Sequence, residues 1–557
     1  MSIRVIVKDT DTTVEVPCYT RASEVLAEAG IKVCGNYCDN PVIGCRVSGV
    51  VSSVNKTLNA DCTISAVRAF EGDGRRIYRH SLTFLLFYAA SKVMPERGLT
   101  IGHSLGDGFY FSCEDGKAVT EEEAEKLRKS MKEASSRGLE IENIFMETQE
   151  AESYFREHHL DKTALLISQI NTPTLELYRL EDFIDVAYEP ITGNTDSLSV
   201  WELRLYGNGL LLRYPTSSGC LTSIVPFEDR PKLFSVFEEN KNWGKILKVS
   251  CCADMNRTLL SPEAPRFIRL CEALQRRKIA SIADSIARKG AQAVFIAGPS
   301  SSGKTTFAKR LCEQIMLGDY ETIRISLDDY YLPKVDCPKD ENGNPDLECL
   351  EALRVDLFRQ NMEDLFSGKE VDLPHYSFKD QKTFYLNQPV RLTERTVFVI
   401  EGIHGLNPEI TSCINPDKVF RVYISALTQL NIDSHNRIST TDNRIIRRIV
   451  RDNRTRNTSA LQTLNMWQSV EDGERKNIFP FQNNADIMFN SALDYEICVL
   501  SPFVMPLLHA ISPSDGPSYN TARRLLKFIE SFITVSDIYV PSDSLLREFT
   551  GQSDYED

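Results

Sequence analysis

The sequence predicts an α/β protein in which a mostly parallel sheet with a phosphate-binding loop follows a β-grasp module and an α+β domain. Three observations carry this prediction. Strand-like runs alternate with helical segments after residue 291, which is typical of a parallel sheet covered by helices on both faces. A glycine-rich loop precedes the first of these helices. Residues 1–70 instead hold short β-type runs around one helical stretch, the pattern of a small β-grasp module.

Five segments are predicted along the 557 residues, whose length has room for about three or four domains. Apolar residues at helical spacing over residues 262–290 end at Gly290 and indicate a helix that leads into a new domain. The predicted segments are a β-grasp domain over 1–70, an α+β domain over 77–245, a connecting helix over 258–290, the P-loop domain over 291–505, and a helical extension with an acidic tail over 506–557.

Composition excludes several classes of protein. A formal charge of −14 argues against a protein that coats nucleic acid non-specifically. The 15 cysteines lack CxxC spacing, so we expect reduced thiols and a cytoplasmic location. The longest apolar run, "ICVLSPFVMPLLHAI", is short and contains Pro502 and Pro506, so no contact with a membrane is expected. No oligomeric state is predicted.

The stretch "AGPSSSGKTT" matches G-x-x-x-x-G-K-[ST] between an apolar run and a helical segment. Lys304 should reach the β and γ oxygens of ATP, and Thr305 should offer its hydroxyl to Mg²⁺. A plain Gly/Ser turn is the alternative, but it would not need Lys and Thr directly after the second glycine. Glu401, which ends the run "TVFVIEG", is the candidate for the second metal-side group. The residues expected to contact the nucleotide are Gly298, Pro299, Ser300, Ser301, Ser302, Gly303, Lys304, Thr305 and Thr306.

P-loops occur in GTPases, ATPases and small-molecule kinases. The residues that would bind a phosphoryl acceptor must therefore distinguish between these classes. No NKxD motif follows residue 305, which disfavours a GTPase. A kinase needs a base beside the acceptor hydroxyl. "ISLDDYYLP" supplies Asp328 as the candidate base, with Asp329 in reserve, at the sheet edge where ligands bind in open α/β folds. An N-cap or a solvated turn is the alternative for this pair.

A stripe of arginines lies on the predicted helix "TTDNRIIRRIVRDNRTR". Its members are spaced at i, i+3, i+4 and i+7, and few acids share their face. We therefore predict a lid that closes over phosphates, with an ordinary solvated face as the alternative. The four residues are Arg444, Arg447, Arg448 and Arg451.

From Ala293 to Asn490 the sequence resembles the uridine kinase family, within a larger group that includes phosphoribulokinase and bacterial pantothenate kinase. The motifs that carry the resemblance are "GPSSSGKTT", "SLDDYY", "LEALRVDLF", "LPHYSFK", "VFVIEGIHGLNP" and "RIIRRIVRDNRTR". The resemblance implies a P-loop kinase that uses ATP and Mg²⁺ to phosphorylate the hydroxyl of a nucleoside, such as uridine or cytidine, or of a related small molecule.

By position, the resemblance implies that Asp328 takes the proton of the 5′-hydroxyl and that Glu351 holds the ribose hydroxyls. It also places Tyr376 and Phe378 beside the base and Arg448, Arg451 and Arg456 in the lid. Three positions depart from the family pattern. Gln381 stands where the family has a histidine that reads the pyrimidine edge, and Thr458 and Met466 stand near an expected arginine and glutamine. The identity of the acceptor therefore stays open.

The N-terminal part resembles the front of threonyl-tRNA synthetase. Residues 1–70 resemble its TGS module, and "YRHSLTFLLFYAASKVMPERGLTIGHSLGDGFYFS" resembles the start of its editing domain. His80 is followed by Phe84 where that family has a second histidine, and "LRYPTSSGCLT" lacks the later Cys-x3-His pair. We therefore expect an editing-like domain that has lost the editing chemistry. Cys34, Cys38 and Cys45 lack a fourth zinc ligand and are expected to be buried thiols.

Two functions from different classes follow. The first is an ATP-dependent kinase acting on a nucleoside-like hydroxyl. The second is an RNA- or ribosome-associated nucleotide switch that uses the TGS and editing-like domains, for which the basic stretch "RAFEGDGRRIYRH" offers weak RNA contact. The acceptor-side residues favour the kinase, because a switch needs no base for a hydroxyl.

Overall fold

The computed structural model describes residues 2–33, 40–215, 223–339, 343, 345–377 and 382–555. Its first sheet has the strand order β2-β1-β7-β4-β5, with β1 and β7 parallel and the other neighbours antiparallel. Alternate residues of β1 are buried, because Ile3, Val5 and Val7 face the helix side of the sheet. The elements are β1 (Ser2–Val7), β2 (Thr12–Pro17), β3 (Thr20–Arg21), α1 (Ala22–Glu28), β4 (Val42–Val47), β5 (Val50–Ser52), β6 (Thr57–Leu58) and β7 (Cys62–Arg68).

A mixed α+β part follows, with a four-stranded antiparallel sheet, β13-β14-β9-β8, and a three-stranded one, β10-β11-β12. Helix α2 is buried along most of its length, whereas α3 is amphipathic and begins at a capping box of Thr120 and Glu123. The elements are α2 (Gly72–Val93), β8 (Leu99–Leu105), β9 (Gly108–Cys113), α3 (Glu121–Arg137), β10 (Glu142–Glu147), α4 (Thr148–Glu157), α5 (Asp161–Ile167), β11 (Thr174–Leu180), β12 (Phe183–Val186), β13 (Glu202–Tyr206) and β14 (Gly209–Arg213).

The C-terminal half contains a five-stranded sheet in which every pair of neighbours is parallel, in the order β16-β19-β15-β20-β21. This sheet confirms the predicted α/β class. Three helices precede it, α6 (Pro231–Leu247), α7 (Cys252–Leu260) and α8 (Ala264–Lys289). The others are β15 (Ala293–Ala297), α9 (Lys304–Met316), β16 (Glu321–Ser326), α10 (Val355–Phe366), β17 (Pro374–Ser377), β18 (Lys382–Tyr385), β19 (Thr396–Glu401), α11 (Pro408–Thr411), β20 (Val419–Ser425), α12 (Thr440–Arg456), α13 (Ala460–Asn477) and β21 (Ile487–Asn490).

Three further helices complete the described chain, α14 (Glu496–His509), α15 (Pro517–Ile529) and α16 (Arg547–Thr550). Helix α14 continues through Pro502 and Pro506, which the sequence analysis treated as a break in the apolar run. Proline removes one helical donor, and the Cys498 carbonyl that Pro502 leaves free accepts the Val535 backbone N–H at 3.1 Å instead. Within the described ranges, no helix is both long and apolar enough to cross a membrane.

The loop between β20 and α12 joins the two halves of the molecule. His435 stacks on Phe87 of α2 with 3.7 Å between ring centroids, and its Nδ1 lies 2.8 Å from Asp185 Oδ2. The Ile101 N–H donates to the Ser434 carbonyl at 2.9 Å. The start of α12 is therefore held by the α+β part of the chain.

Candidate functional site

The glycine-rich loop connects β15 to α9 at the carboxyl edge of the parallel sheet. A Cβ on Gly298 would lie 1.9 Å from the Ile424 carbonyl oxygen, so only glycine fits there. Gly303 has a φ of 83°, the left-handed conformation that glycine adopts without strain. Lys304 Nζ donates to the carbonyls of Gly298 at 3.0 Å and Pro299 at 3.3 Å. The ammonium group therefore lies over the loop.

The two predicted metal-side residues meet beside the loop. Thr305 Oγ1 donates to Glu401 Oε1 at 3.1 Å, because Glu401 ends β19, the strand next to β15. Burial raises the pKa of Glu401 to about 7, with Asp328 adding to the effect and Lys304 opposing it. A hydroxyl and a carboxylate are hard oxygen donors that suit Mg²⁺, and a cation there would relieve the cost of burying the carboxylate.

Asp328 and Asp329 differ in their surroundings. Both lie in the short 3-10 helix Leu327–Tyr330 that follows β16. Asp329 Oδ1 accepts the Tyr376 backbone N–H at 3.0 Å, and its Oδ2 lies 3.6 Å from His375 Nδ1. Burial raises the pKa of Asp328, whereas Lys304 is the strongest influence in the opposite direction. The charge of the loop lysine thus acts on Asp328, whereas Asp329 holds strand β17.

The expectation that the arginine stripe has few acids near it is wrong. Arg444 pairs with Glu474 of α13, and Arg447 pairs with Glu496 of α14, with all four side chains buried. Arg448 and Arg451 lie 3.2 and 2.9 Å from Asp452 of their own helix. The first two acids are 30 and 49 residues away from their partners in sequence, so helical spacing could not reveal them.

The same stripe also contacts the glycine-rich loop. Arg444 Nε donates to the Ser300 carbonyl at 2.9 Å, and Arg448 donates to Ser300 Oγ at 3.0 Å. Arg447 donates to the Ser301 carbonyl at 3.4 Å. Arg444 and Arg447 therefore support the loop backbone, whereas Arg448 contacts the Ser300 side chain and Arg451 pairs with Asp452.

Comparison with known proteins finds relatives for two parts of the chain. Residues 293–497 match the model of the Phosphoribulokinase / Uridine kinase family. This stretch is a domain of that family. The solved structure of a "Possible Uridine Kinase from Bacillus stearothermophilus" is 17% identical and covers 39% of this chain and 98% of that one, with a TM-score of 0.27.

The N-terminal region matches threonine–tRNA ligases. The enzyme of Methylococcus capsulatus is 30% identical over 159 residues, which are 28% of this chain and 25% of that one. The enzyme of Clostridioides difficile is 26% identical over 164 residues, which are 29% and 26% of the two chains. This chain thus spans about a quarter of the length of the curated relatives it matches.

The predicted acceptor residues of the kinase-family domain are only partly brought together. Tyr376 on β17 is half-buried, with its ring centroid 6.2 Å from that of Tyr331. Glu351 is exposed, and Arg456 is 57% exposed at the end of α12. Phe378 and Gln381 lie outside the described residues.

Sequence reasoning missed Glu348, three residues before Glu351. A Cβ on Gly473 of α13 would lie 2.6 Å from the Glu348 Cβ, so this side chain packs on α13 beside Glu474. Burial raises the pKa of Glu348 to about 7, Glu474 raises it further, and Arg448 and Lys304 oppose the shift. Glu348 thus lies against α13, whereas Glu351 is exposed. The sequence offered two acids three residues apart, Glu348 and Glu351, as candidates for one role. The 3-10 turn Leu350–Ala352 determines that the two side chains have different surroundings.

The editing-like part places His80 among apolar side chains, with Glu189 and several arginines nearby. Phe84, one turn later on α2, packs on Phe183 with 5.3 Å between ring centroids. Burial lowers the pKa of His80 to about 3, and Arg79 lowers it further. Among the residues that the structure describes, no cluster of three or more His, Cys, Asp and Glu side chains could hold a metal ion. Cys45 is buried, whereas Cys34 and Cys38 lie outside the described residues.

We expect the protein to bind no stoichiometric zinc through His80 and to hydrolyse no mischarged Ser-tRNA. The reason is that Phe84 cannot replace a ligating or catalytic histidine, and among the described residues no set of three candidate ligands surrounds His80. Metal analysis of the purified chain and a Ser-tRNA deacylation assay check this. One zinc per chain that disappears in His80→Ala would contradict it.

Proposed function

We propose that the chain is an ATP-dependent kinase that transfers the γ-phosphoryl group to a hydroxyl of a nucleoside-like molecule, such as uridine or cytidine. The observation that carries this proposal is the position of Asp328 directly after β16, at the carboxyl edge of the parallel sheet where β15 also leads into the glycine-rich loop. A P-loop that only switches between nucleotide states has no use for a carboxylate at that position. The match to the Phosphoribulokinase / Uridine kinase family supports it.

Each group in this site has a role in the proposed transfer. Asp328 accepts the proton of the acceptor hydroxyl as its oxygen attacks the γ-phosphorus, and ADP leaves with the bridging oxygen. Lys304, Arg448 and Arg451 stabilise the charge on the transferring group. Thr305 and Glu401 would hold Mg²⁺, which neutralises charge on the β and γ phosphates when it is bound.

The acceptor pocket is proposed to lie between Asp328, Glu348 and Tyr376. Glu348 takes over the role that the resemblance assigned to Glu351, because its side chain packs against α13 beside Glu474, whereas Glu351 is exposed. Carboxylates accept hydrogen bonds from paired hydroxyls, which suits a ribose. Arg456, Phe378 and Gln381 stay predicted contacts of this pocket.

Glu348→Gln is expected to raise the KM for a ribose-bearing acceptor by about tenfold, since one charge-assisted hydrogen bond contributes about 1.5–3 kcal/mol. Glu351→Gln, an identical change three residues later, is the matched control and should leave that KM unchanged. Steady-state kinetics at saturating ATP measure both. A rise in KM for Glu351→Gln alone would show that Glu351, and not Glu348, holds the ribose hydroxyls.

The experiment that tests the proposed function is an acceptor screen on the full chain. The protein is incubated with Mg-ATP and a panel of nucleosides, pantothenate and sugar phosphates, and ADP release is followed by a coupled assay. We expect ADP and a phosphorylated product with at least one nucleoside. ADP release that no acceptor stimulates would contradict a nucleoside kinase.

The RNA-linked nucleotide switch is the second candidate, and the match to threonine–tRNA ligases favours it. It predicts ATP hydrolysis without an acceptor that tRNA or ribosomal RNA stimulates. Hydrolysis assays with and without RNA, run beside the acceptor screen, separate the two functions.

A further inference from the structure

Residues 541–555 cross the first turns of the P-loop helix α9, and we call them the C-terminal strap. They follow residue 497, where the match to the kinase family ends. Leu545 is fully buried in the cluster that α8 and α9 form with the sheet. Lys309 Nζ of α9 donates to the Tyr555 carbonyl at 2.5 Å, and the Tyr555 hydroxyl donates to Glu313 Oε2 at 2.7 Å. The strap is thus attached along α9.

Three further contacts fix the strap to neighbouring helices. Arg276 of α8 donates to Asp543 at 2.7 Å, and Ser544 Oγ donates to Glu272 Oε1 at 2.5 Å. The Arg447 guanidinium of α12 lies 5.0 Å from the centroid of the Phe549 ring. The backbone of the strap is therefore a fixed part of the fold.

Glu548 extends from the strap to the nucleotide loop. Its Oε2 accepts a hydrogen bond from Thr306 Oγ1 at 2.9 Å. Thr306 is buried and is the third residue of α9, in the turn whose free N–H groups point toward phosphates. A Cβ on Gly303 would lie 4.0 Å from the same carboxylate oxygen. A negative charge therefore lies beside the first turn of α9 and the last glycine of the loop.

The side chain of Glu548 is half-buried and is attached to the loop region through its hydrogen bond with Thr306. In this position its charge would repel an incoming triphosphate, and its hydrogen bond occupies the Thr306 hydroxyl. We propose that Glu548 is an autoinhibitory residue that weakens nucleotide binding at the P-loop. This inference rests on the proposed function, in which the loop binds ATP.

The test is the dissociation constant of Mg-ATP for the full chain, measured by calorimetry at low salt. Glu548→Gln removes the negative charge and keeps a hydrogen-bond acceptor for Thr306, so it isolates the electrostatic contribution of Glu548 to nucleotide binding. We expect roughly three- to tenfold tighter binding, the size expected for one charge at about 4 Å in a solvated site, and a smaller difference at high salt. Asp554→Asn is the matched control, because Asp554 is an acid of the same strap that accepts a hydrogen bond from Ser542 at 2.7 Å.

Two results would overturn the inference while the proposed function stands. The first is wild-type protein that binds Mg-ATP as tightly as, or more tightly than, Glu548→Gln. The second is an equal gain in Asp554→Asn, which would assign the effect to net charge. If neither the wild type nor Glu548→Gln binds Mg-ATP, the proposed function fails and the autoinhibitory contact fails with it.

Discussion

Asp328→Asn is expected to lower kcat by two to four orders of magnitude, about what general-base catalysis contributes, and to leave Mg-ATP binding nearly intact. Asparagine is almost isosteric but cannot accept a proton from the acceptor hydroxyl. Because burial raises the pKa of Asp328, its ionised form costs stability above the normal carboxyl pKa. The variant should therefore unfold at the same temperature as the wild type or a higher one at pH 7, so a loss of turnover would not reflect unfolding.

Asp329→Asn is the matched control for this prediction. The asparagine side-chain oxygen can still accept the Tyr376 backbone N–H that Asp329 accepts at 3.0 Å. We expect its turnover to stay close to that of the wild type. Full turnover of Asp328→Asn with every acceptor in the panel would assign the base elsewhere, and a collapse of Asp329→Asn alone would assign it to the neighbouring residue.

Lys304→Ala should abolish most turnover, because it removes a positive charge from the transferring phosphoryl group. Preorganised charges of this kind contribute about 3–4 kcal/mol each, or roughly two to three orders of magnitude in rate. The lysine also donates to the Gly298 and Pro299 carbonyls, and these acceptors stay free for water in the variant. We expect the fold to survive, as circular dichroism and thermal unfolding would show.

Lys418→Ala controls for the loss of a lysine, since Lys418 is exposed and precedes β20 at the opposite edge of the sheet. It should release ADP at the wild-type rate. A folded Lys304→Ala protein with normal ADP release would remove the nucleotide-binding role from the glycine-rich loop.

The fold class and the phosphate-binding loop are accessible from the sequence because they depend on local patterns. Alternating strand and helix periodicity identifies the parallel sheet, and the glycine spacing before Lys304 identifies the loop. The position of Asp328 after a strand also follows from chain order, because parallel strands bring their carboxyl ends to one edge. Each of these features depends on residues that are close together in the sequence.

The sequence by itself thus determined the α/β architecture, the similarity of two parts of the chain to known families, and the phosphate-binding loop. Only the tertiary structure decided which acids and cations lie close together. Glu474 and Glu496 reach Arg444 and Arg447 from other helices, Glu348 rather than Glu351 packs on α13, and Glu548 approaches Thr306 from 242 residues away. The physical reason is that a charge acts through space over a few ångströms, and which distant charges come that close depends on how whole elements pack.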